Sequence, residues 1–331
     1  MTDPLRRLSP VVRLAPAKLN LTLAVIGRRD DGYHTLHSVF VPLALADRLS
    51  LAPVGGDRDT LHVTGGDAGP PADNLVLKAL AVARAAVGGG WSGGPAPAPA
   101  LAARLEKRIP VAAGLAGGSS DAAATVDAAL EAWDAELDDD RRQAVAARLG
   151  SDVPFFLAGG PALVEGRGEQ VAPLHGLHGS PGVVLVTPFI AVSTPDVFAA
   201  FDAIRSHGDG AVRMSSAHLA EELRSGLTAT ALSARAGVLA SANDLLPATS
   251  LVVPELVPFK RAVSRTLGRP VGLSGSGPTL WALYDSATEA TVAAETVREA
   301  LRDGSIAAPG SSEPFVCATT IVGHTQQGRE A

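Results

Sequence analysis

Residues 110–124 read Pro110-Val111-Ala112-Ala113-Gly114-Leu115-Ala116-Gly117-Gly118-Ser119-Ser120-Asp121-Ala122-Ala123-Ala124, a glycine-rich turn running into an alanine-rich segment. Glycine lets a backbone come close to an anion and admits positive φ. The serine hydroxyls and the free N–H groups of the following helix point the same way, and the helix dipole favours negative charge there. An ordinary turn before a capped helix is the plainer alternative. The length of the turn and the pair of serines favour a phosphate cradle.

Ser119 or Ser120 is expected to cap a helix whose apolar positions Ala122, Val126, Leu130 and Trp133 recur every three to four residues. Downstream, Asp138 to Asp140 mark the start of another helix and Gly150 its end. That acidic run suits a helix N-terminus and needs no metal. Upstream, Asp73 or Asn74 caps a helix reaching about Val87, and 101–106 is a strand. Further strands are expected at 19–26, 35–43, 47–52 and 60–64. From residue 183 the pattern gives strand 183–187, helix 194–205 and more helices to about 266. Strands 271–274 and 279–284, helix 286–302 and a strand near 315–321 follow. No regular βαβ repeat appears, so the fold class is α+β. Gly- and Pro-dense residues 88–100 read as a surface loop, and 175–182 as the boundary between domains 1–178 and 179–331.

Composition narrows the function. The chain has 331 residues, enough for two domains, and a net charge of −6 with no basic surplus for a nucleic-acid backbone. Hydrophobic residues make up 46%, which excludes disorder. Its one cysteine, Cys317, excludes an intrachain disulfide and a cysteine-rich zinc site. With no signal-peptide stretch at the start and no apolar run long enough to span a bilayer, the expectation is a soluble cytoplasmic protein, not bound to membrane or nucleic acid.

The four lysines, Lys18, Lys78, Lys107 and Lys260, none followed by Ser or Thr after a Gly-Lys pair, exclude a Walker A loop. A formal G-x-G-x-x-G at Gly88, Gly90 and Gly93 runs into Gly94-Pro95-Ala96-Pro97, which cannot open a helix, so it is discarded. His34 and His37, like His175 and His178, lack partners at zinc spacing. Lys18 stands at a proline-led strand entry beside Asn20. Asp152 follows a helix, where bonding to its own backbone is the plain explanation. Gly32-Tyr33-His34 offers an aromatic and a hydrogen-bonding ring together, and Ser274 to Thr279 form a second small-residue loop.

Taken together, these segments resemble the GHMP kinase superfamily, and within it the kinases that act on 4-diphosphocytidyl-2-C-methyl-D-erythritol. The resemblance rests first on Pro16 to Leu21, on Gly27, Arg29 and Asp31 to His34, and on Lys107 to Ala124. Leu149 to Phe155, Glu165-Gly166 with Gly168-Glu169, Ser193-Thr194-Pro195 with Phe198, Asn243 to Leu245 and Leu273 to Gly277 complete it, over about 13–285. It implies a ribosomal-S5-like N-terminal, ATP-binding domain and a ferredoxin-like C-terminal, substrate-side domain around a cleft. The implied reaction is ATP-dependent phosphorylation of the substrate's 2-hydroxyl, a step of non-mevalonate isoprenoid precursor biosynthesis. By the same resemblance Asp152 accepts the hydroxyl proton and Lys18 holds Asp152 and the attacking oxygen. Pro110, Gly114, Leu115, Gly117, Gly118, Ser119 and Ser120 form the ATP cradle, with Mg²⁺ shared by phosphate oxygens, waters and Ser120. Asn74 and Lys107 fall near the adenosine. Tyr33 and Phe198 sandwich the cytosine, His34 bonds its edge, and Asn20 contacts the erythritol end. The expected partner is a small molecule bearing a cytidine diphosphate group, met by a monomer or weak homodimer. Leu246 departs from the acidic residue common after Asn-Asp-Leu. A homoserine- or mevalonate-type kinase, or a non-catalytic nucleotide-binding relative, is the alternative; the last should lack Lys18 or Asp152.

Overall fold

The computed structural model describes residues 10–66, 69–70, 73–88, 98–204 and 210–323. A seven-stranded sheet holds β1 (Val11–Asn20), β2 (Ala24–Arg28), β3 (His34–Pro53), β4 (Thr60–Thr64), β5 (Leu101–Glu106), β6 (Ala162–Gly166) and β7 (Gln170–Pro173). Helices α1 (Leu75–Val87), α2 (Gly117–Trp133), α3 (Asp139–Leu149) and α4 (Val153–Leu157) belong to the same half. The expected α2 stripe Ala122, Val126, Leu130 and Trp133 is buried in one core with Leu49, Leu51 and Leu105 of the sheet, whereas α1 buries Val76, Ala79, Leu80 and Ala83 and leaves Ala81 exposed.

Two expected strands, 35–43 and 47–52, are one continuous β3, which pairs with β1 on both sides of residues 43–45. A bulge between Pro16 and Lys18 absorbs the change of register there. The expected strand 19–26 instead divides into the end of β1 and the start of β2. The β6–β7 hairpin was not anticipated: its short apolar run lacks the alternation of a half-exposed strand, since Ala162, Leu163 and Val164 are all buried.

In the other half lie β8 (Leu177–His178), β9 (Gly182–Thr187), α5 (Thr194–Ala203), α6 (Ala211–Ser225), β10 (Leu227–Thr228), α7 (Ala229–Ser233) and α8 (Ala236–Ser241). They are followed by α9 (Leu246–Val252), α10 (Leu256–Leu267), β11 (Gly272–Leu273), β12 (Leu280–Tyr284), α11 (Ala287–Arg302) and β13 (Phe315–Thr320). Strands β11-β12-β9-β13 make a four-stranded antiparallel sheet in that order, while β8 pairs with β10. Leu19, Val41 and Ile109 from one half share a core with Leu185, Leu223 and Trp281 from the other. That shared core holds the cleft between the halves in register. Leu246 opens α9 and packs against the core around Val253 and Leu273, so an apolar residue suits its place.

Among the described residues, no helix is long and apolar enough to cross a membrane. Apart from Gly88 and residues 98–100, the expected 88–100 loop and its discarded glycine motif lie outside the described residues.

Candidate active site

The glycine-rich turn lines a cleft of about 460 Å³, a volume suited to small-molecule ligands. Both halves contribute: Lys18, Asn20, Asp121 and Asp152 on one side, Thr194, Phe198, Gly275 and Ser276 on the other. The turn is backbone-built. Ala112 and Ala116 both adopt φ +54°, a conformation costly for residues with a Cβ. The carbonyl of Gly114 accepts Ser274 Oγ at 3.0 Å, and that of Leu115 accepts the Lys18 amide at 3.0 Å. Gly114 has φ +76°, and a Cβ there would stand 2.6 Å from the Ser274 carbonyl oxygen. Only glycine fits.

Helix α2 begins at Gly117, earlier than expected, with left-handed Ala116 as its cap residue and no side-chain cap. Neither Ser119 nor Ser120 caps it; both lie in the first turn. The reason is that the turn closes through Ala116 rather than through a hydroxyl, with the Ser120 amide on the Ala116 carbonyl at 3.0 Å. The earlier N–H groups of the helix are thereby left to the cleft. Ser119 lines the cleft, whereas Ser120 Oγ is buried without a hydrogen-bond partner. Leu115 sends its side chain into the core and offers only its backbone to the turn.

Beneath the turn lies a buried charge cluster. Lys107 Nζ donates to Asp47 Oδ2 and, at 2.7 Å, to Asp121 Oδ2. Asp47 Oδ1 accepts the amides of Arg108 (2.5 Å) and Ile109 (2.8 Å), the residues that lead into Pro110. One carboxylate thus ties β3 to the start of the turn, and one ammonium ties β5 to α2. Asp121 Oδ1 is buried without a partner. Burial raises the Asp121 pKa to about 7, against the pull of Lys107 and with the added push of Asp47. Burial lowers the Lys107 pKa, but its two carboxylates outweigh this and raise it.

Lys18, on β1 just past the bulge, donates to Asn20 Oδ1 at 2.6 Å and stands 4.9 Å from the centre of the Phe40 ring. Asn20 Nδ2 donates to Ser38 Oγ at 3.1 Å, and Ser38 Oγ to the Thr22 carbonyl. Thr22 Oγ1 continues to Ser216 of α6 at 2.9 Å, which meets His37 Nδ1 at 3.0 Å. This fully buried network fixes the Lys18 head. Burial lowers the Lys18 pKa, and the charge of Asp152 partly restores it. Asp152 precedes α4 as its cap residue, yet its side chain caps nothing. The turn chemistry that would explain an aspartate here is absent, and its carboxylate faces the cleft without a recorded hydrogen bond among the described residues.

The β2–β3 hairpin carries the aromatic pair. Tyr33 is exposed, with the Arg167 guanidinium 5.3 Å from its ring centre. His34 stacks on Phe198 at 4.7 Å between centroids and 21° between planes. So the expected Tyr33–Phe198 sandwich is not formed here: Phe198 stacks on His34, and neither His34 nor Tyr33 is among the residues that line the cleft. Asn74 caps α1, accepting the Val76 amide at 3.0 Å, and does not line the cleft; its neighbour Leu75 does.

The expected residues that meet in the cleft are therefore Lys18, Asn20, Lys107, Pro110, Gly114, Gly117, Gly118, Ser119, Asp152 and Phe198. Sequence reasoning missed Asp47, Asp121 and Ser38. Asp121 was legible as a charge inside an alanine-rich helix start; Asp47 and Ser38, in a long strand, gave no local signal.

The cradle can be probed without touching the charge cluster. A Cβ on Gly117 would meet Ile109 Cγ2 at 3.1 Å and Lys107 Nζ at 3.2 Å, so substitution there disturbs both cradle and cluster. On Gly118 the nearest atom would be Leu75 Cδ1 at 3.7 Å, an ordinary contact. Gly118→Val is expected to fold normally and to raise the KM for ATP roughly tenfold or more, the scale of one charge-assisted hydrogen bond. A calorimetric titration showing wild-type ATP affinity in the folded variant would remove the cradle.

Comparisons with known proteins agree with this geometry. The family model described as GHMP kinases N terminal domain matches residues 74–160. A protein of Nocardia farcinica named 4-diphosphocytidyl-2-C-methyl-D-erythritol kinase is 41% identical over 312 residues, 92% of this chain and 96% of that one. A crystal structure of 4-(cytidine 5'-diphospho)-2C-methyl-D-erythritol kinase matches with a TM-score of 0.68 and 34% identity, covering 94% of this chain and all of the other. The homoserine kinase of Cytophaga hutchinsonii shares the fold, with a TM-score of 0.67, 18% identity and 95% of each chain covered.

Proposed function

This chain belongs to the 4-diphosphocytidyl-2-C-methyl-D-erythritol kinases of the GHMP kinase family, and from that premise we propose how its residues move a phosphoryl group from ATP to the 2-hydroxyl of 4-diphosphocytidyl-2-C-methyl-D-erythritol. One observation carries the reading. An unbonded carboxylate, Asp152, and a buried ammonium, Lys18, share one cleft with an uncapped, backbone-lined helix start.

Phosphoryl transfer needs alignment and charge stabilisation more than covalent help. Gly114, Gly117, Gly118 and Ser119 offer N–H groups and a hydroxyl to the ATP phosphates. Asp152 accepts the proton of the attacking hydroxyl, its carboxylate being free of competing bonds. Lys18, held by Asn20, stabilises the negative charge that develops on that oxygen. Asn20 aims Lys18 through its Oδ1, and the second hydrogen of its Nδ2, at the wall of the cleft, serves the erythritol end of the substrate. Lys107 lines the cleft with two of its three ammonium hydrogens on Asp47 and Asp121, which ties it to the cradle and leaves one for the nucleotide. Asn74 acts on the nucleotide side through the α1 cap it forms.

Mg²⁺ fits the oxygen donors present: Ser119 and Asp121 line the cleft, and the neighbouring Ser120 Oγ and Asp121 Oδ1 are buried without a hydrogen-bond partner, so these oxygens would hold it. Phosphate oxygens and waters would supply its remaining ligands. The ion supplies charge neutralisation between the phosphates. The division near 178/179 is supported by the two larger sheets on either side of it, but β8 pairs with β10 and goes with the second half, which draws the boundary back to just before Leu177. Phe198 on the cleft wall, with His34 stacked on it and Tyr33 exposed next in the chain, receives the pyrimidine.

The test is phosphorus NMR of the protein with ATP and Mg²⁺ against three alcohols: 4-diphosphocytidyl-2-C-methyl-D-erythritol, mevalonate and homoserine. A new phosphomonoester signal is expected with the first alone. Turnover of mevalonate or homoserine in its place would overturn the assignment.

A further inference from the structure

His34 is held on three sides. Its ring lies against Phe198, and Phe201 meets it edge-on, 6.2 Å between centroids at 87°. Its Nε2 lies 2.7 Å from Asp202 Oδ1. Both phenylalanines and Asp202 come from α5, so one helix of the second half grips a side chain of the first. Asp202 Oδ2 in turn faces Arg28 Nη1 at 3.4 Å. The His34 side chain is only 8% exposed and packs on Phe198, which lines the cleft; among the described residues its one side-chain hydrogen bond is that of Nε2 to Asp202, with none at Nδ1.

We propose that Asp202 is a specificity-determining positioning residue, which fixes the His34 proton on Nε2 and leaves Nδ1 as the acceptor that reads the pyrimidine edge. The proposal rests on the reading that His34 faces the base. A carboxylate accepts only, so the nitrogen facing it carries the hydrogen, and in the neutral ring the other nitrogen must then accept. Cytosine presents an amino donor at position 4, where uracil presents a carbonyl acceptor. An Nδ1 lone pair bonds the first and meets the second acceptor to acceptor. Stacking on Phe198 cannot make this distinction, because every base offers a π face.

Arg28 sharpens the test. In Asp202→Asn the amide oxygen turns to the Arg28 donor, which leaves the NH₂ facing Nε2. The imidazole proton then moves to Nδ1, and the edge reads as a donor. Nitrogen-15 NMR of the imidazoles should show Nε2–H in the wild type and Nδ1–H in the variant. The kinetic readout is kcat/KM for 4-diphosphocytidyl-2-C-methyl-D-erythritol and its uridine analogue. The wild type should favour cytidine, by as much as ~10⁴-fold where a site matches the substrate's hydrogen bonds. Asp202→Asn should lower the cytidine value and raise the uridine value, cutting the ratio by about tenfold or more. Asp202→Glu should restore part of the ratio, and the KM for ATP should not move in either variant. A merely structural role would lower both substrates in proportion and leave the ratio and the proton position intact; that result overturns the proposal. If His34→Ala erases the preference while Asp202→Asn keeps it, Asp202 is excluded and the reading of His34 stands. If His34→Ala keeps the wild-type ratio, the reading of His34 fails and the proposal falls with it.

Discussion

Asp152→Asn should bind ATP as the wild type does and lose about 10²–10⁴ in kcat, the usual worth of a positioned proton acceptor. The substitution is nearly isosteric, and the structure gives no reason for the fold to object. The Asp152 side chain caps no helix. Asp152 also lies outside the glycine turn, so the phosphate cradle is untouched. Lys18→Ala should lose a comparable factor by a different route. It removes the charge that stabilises the attacking oxygen and leaves Asn20 Oδ1 without its 2.6 Å donor. The two losses should not add, because both residues act on the same oxygen. The measurement is single-turnover kinetics with saturating ATP, alongside a nucleotide titration. Wild-type kcat in Asp152→Asn would place the base elsewhere. Loss of ATP affinity equal to the loss of rate would make Asp152 part of the nucleotide site.

The glycine turn, the α1 and α3 caps at Asn74 and Asp138, and the apolar stripe of α2 were all visible in local chemistry, because each depends on neighbours within one turn of chain. What lay hidden depends on long-range pairing. Asp47 sits at a register position opposite Ala15, and its partners at 107–109 are about sixty residues away in sequence. Ser38, Thr22 and Ser216 are unremarkable residues until β3 and α6 bring them under Lys18. The serines of the turn misled for a local reason. A serine pair at a helix start suggests capping, but left-handed Ala116 closes the turn three residues before Ser119. Asp152 is the converse case. Its sequence context suggested a turn aspartate, and only the structure shows that no turn uses its side chain.

Lys107→Met should be the most destabilising single substitution in the cleft, costing about 3–5 kcal/mol at pH 8, the cost of removing one partner from a buried ion pair. Methionine keeps most of the volume, so the loss is electrostatic rather than a cavity. The Asp47 side chain is fully buried and that of Asp121 is 3% exposed. Without the ammonium, Asp47 keeps its two backbone amides, while ionised Asp121 is left facing only the like charge of Asp47. The pH dependence identifies the cause. In the wild type the Asp121 pKa is raised to about 7 from 3.8. Between those values the native state holds a proton that the unfolded chain has released. This group therefore takes stability away as pH rises through the window, and its contribution is level above about 7. Lys107 pulls that pKa down, so removing it pushes Asp121 higher and extends the decline to more alkaline pH. The penalty of Lys107→Met should accordingly be largest at pH 8 and shrink toward pH 5, where Asp121 is protonated in both proteins. Replacing Asp121 by Leu in the same chain should recover much of the loss, because an apolar pair needs no ion. Urea unfolding at pH 5, 6, 7 and 8 measures all three proteins. A penalty that does not change with pH would mean that Lys107 serves by packing alone. A negligible penalty at pH 8 would mean that the two carboxylates do not depend on it, and that the start of the phosphate turn is held by the Asp47 amide bonds without help.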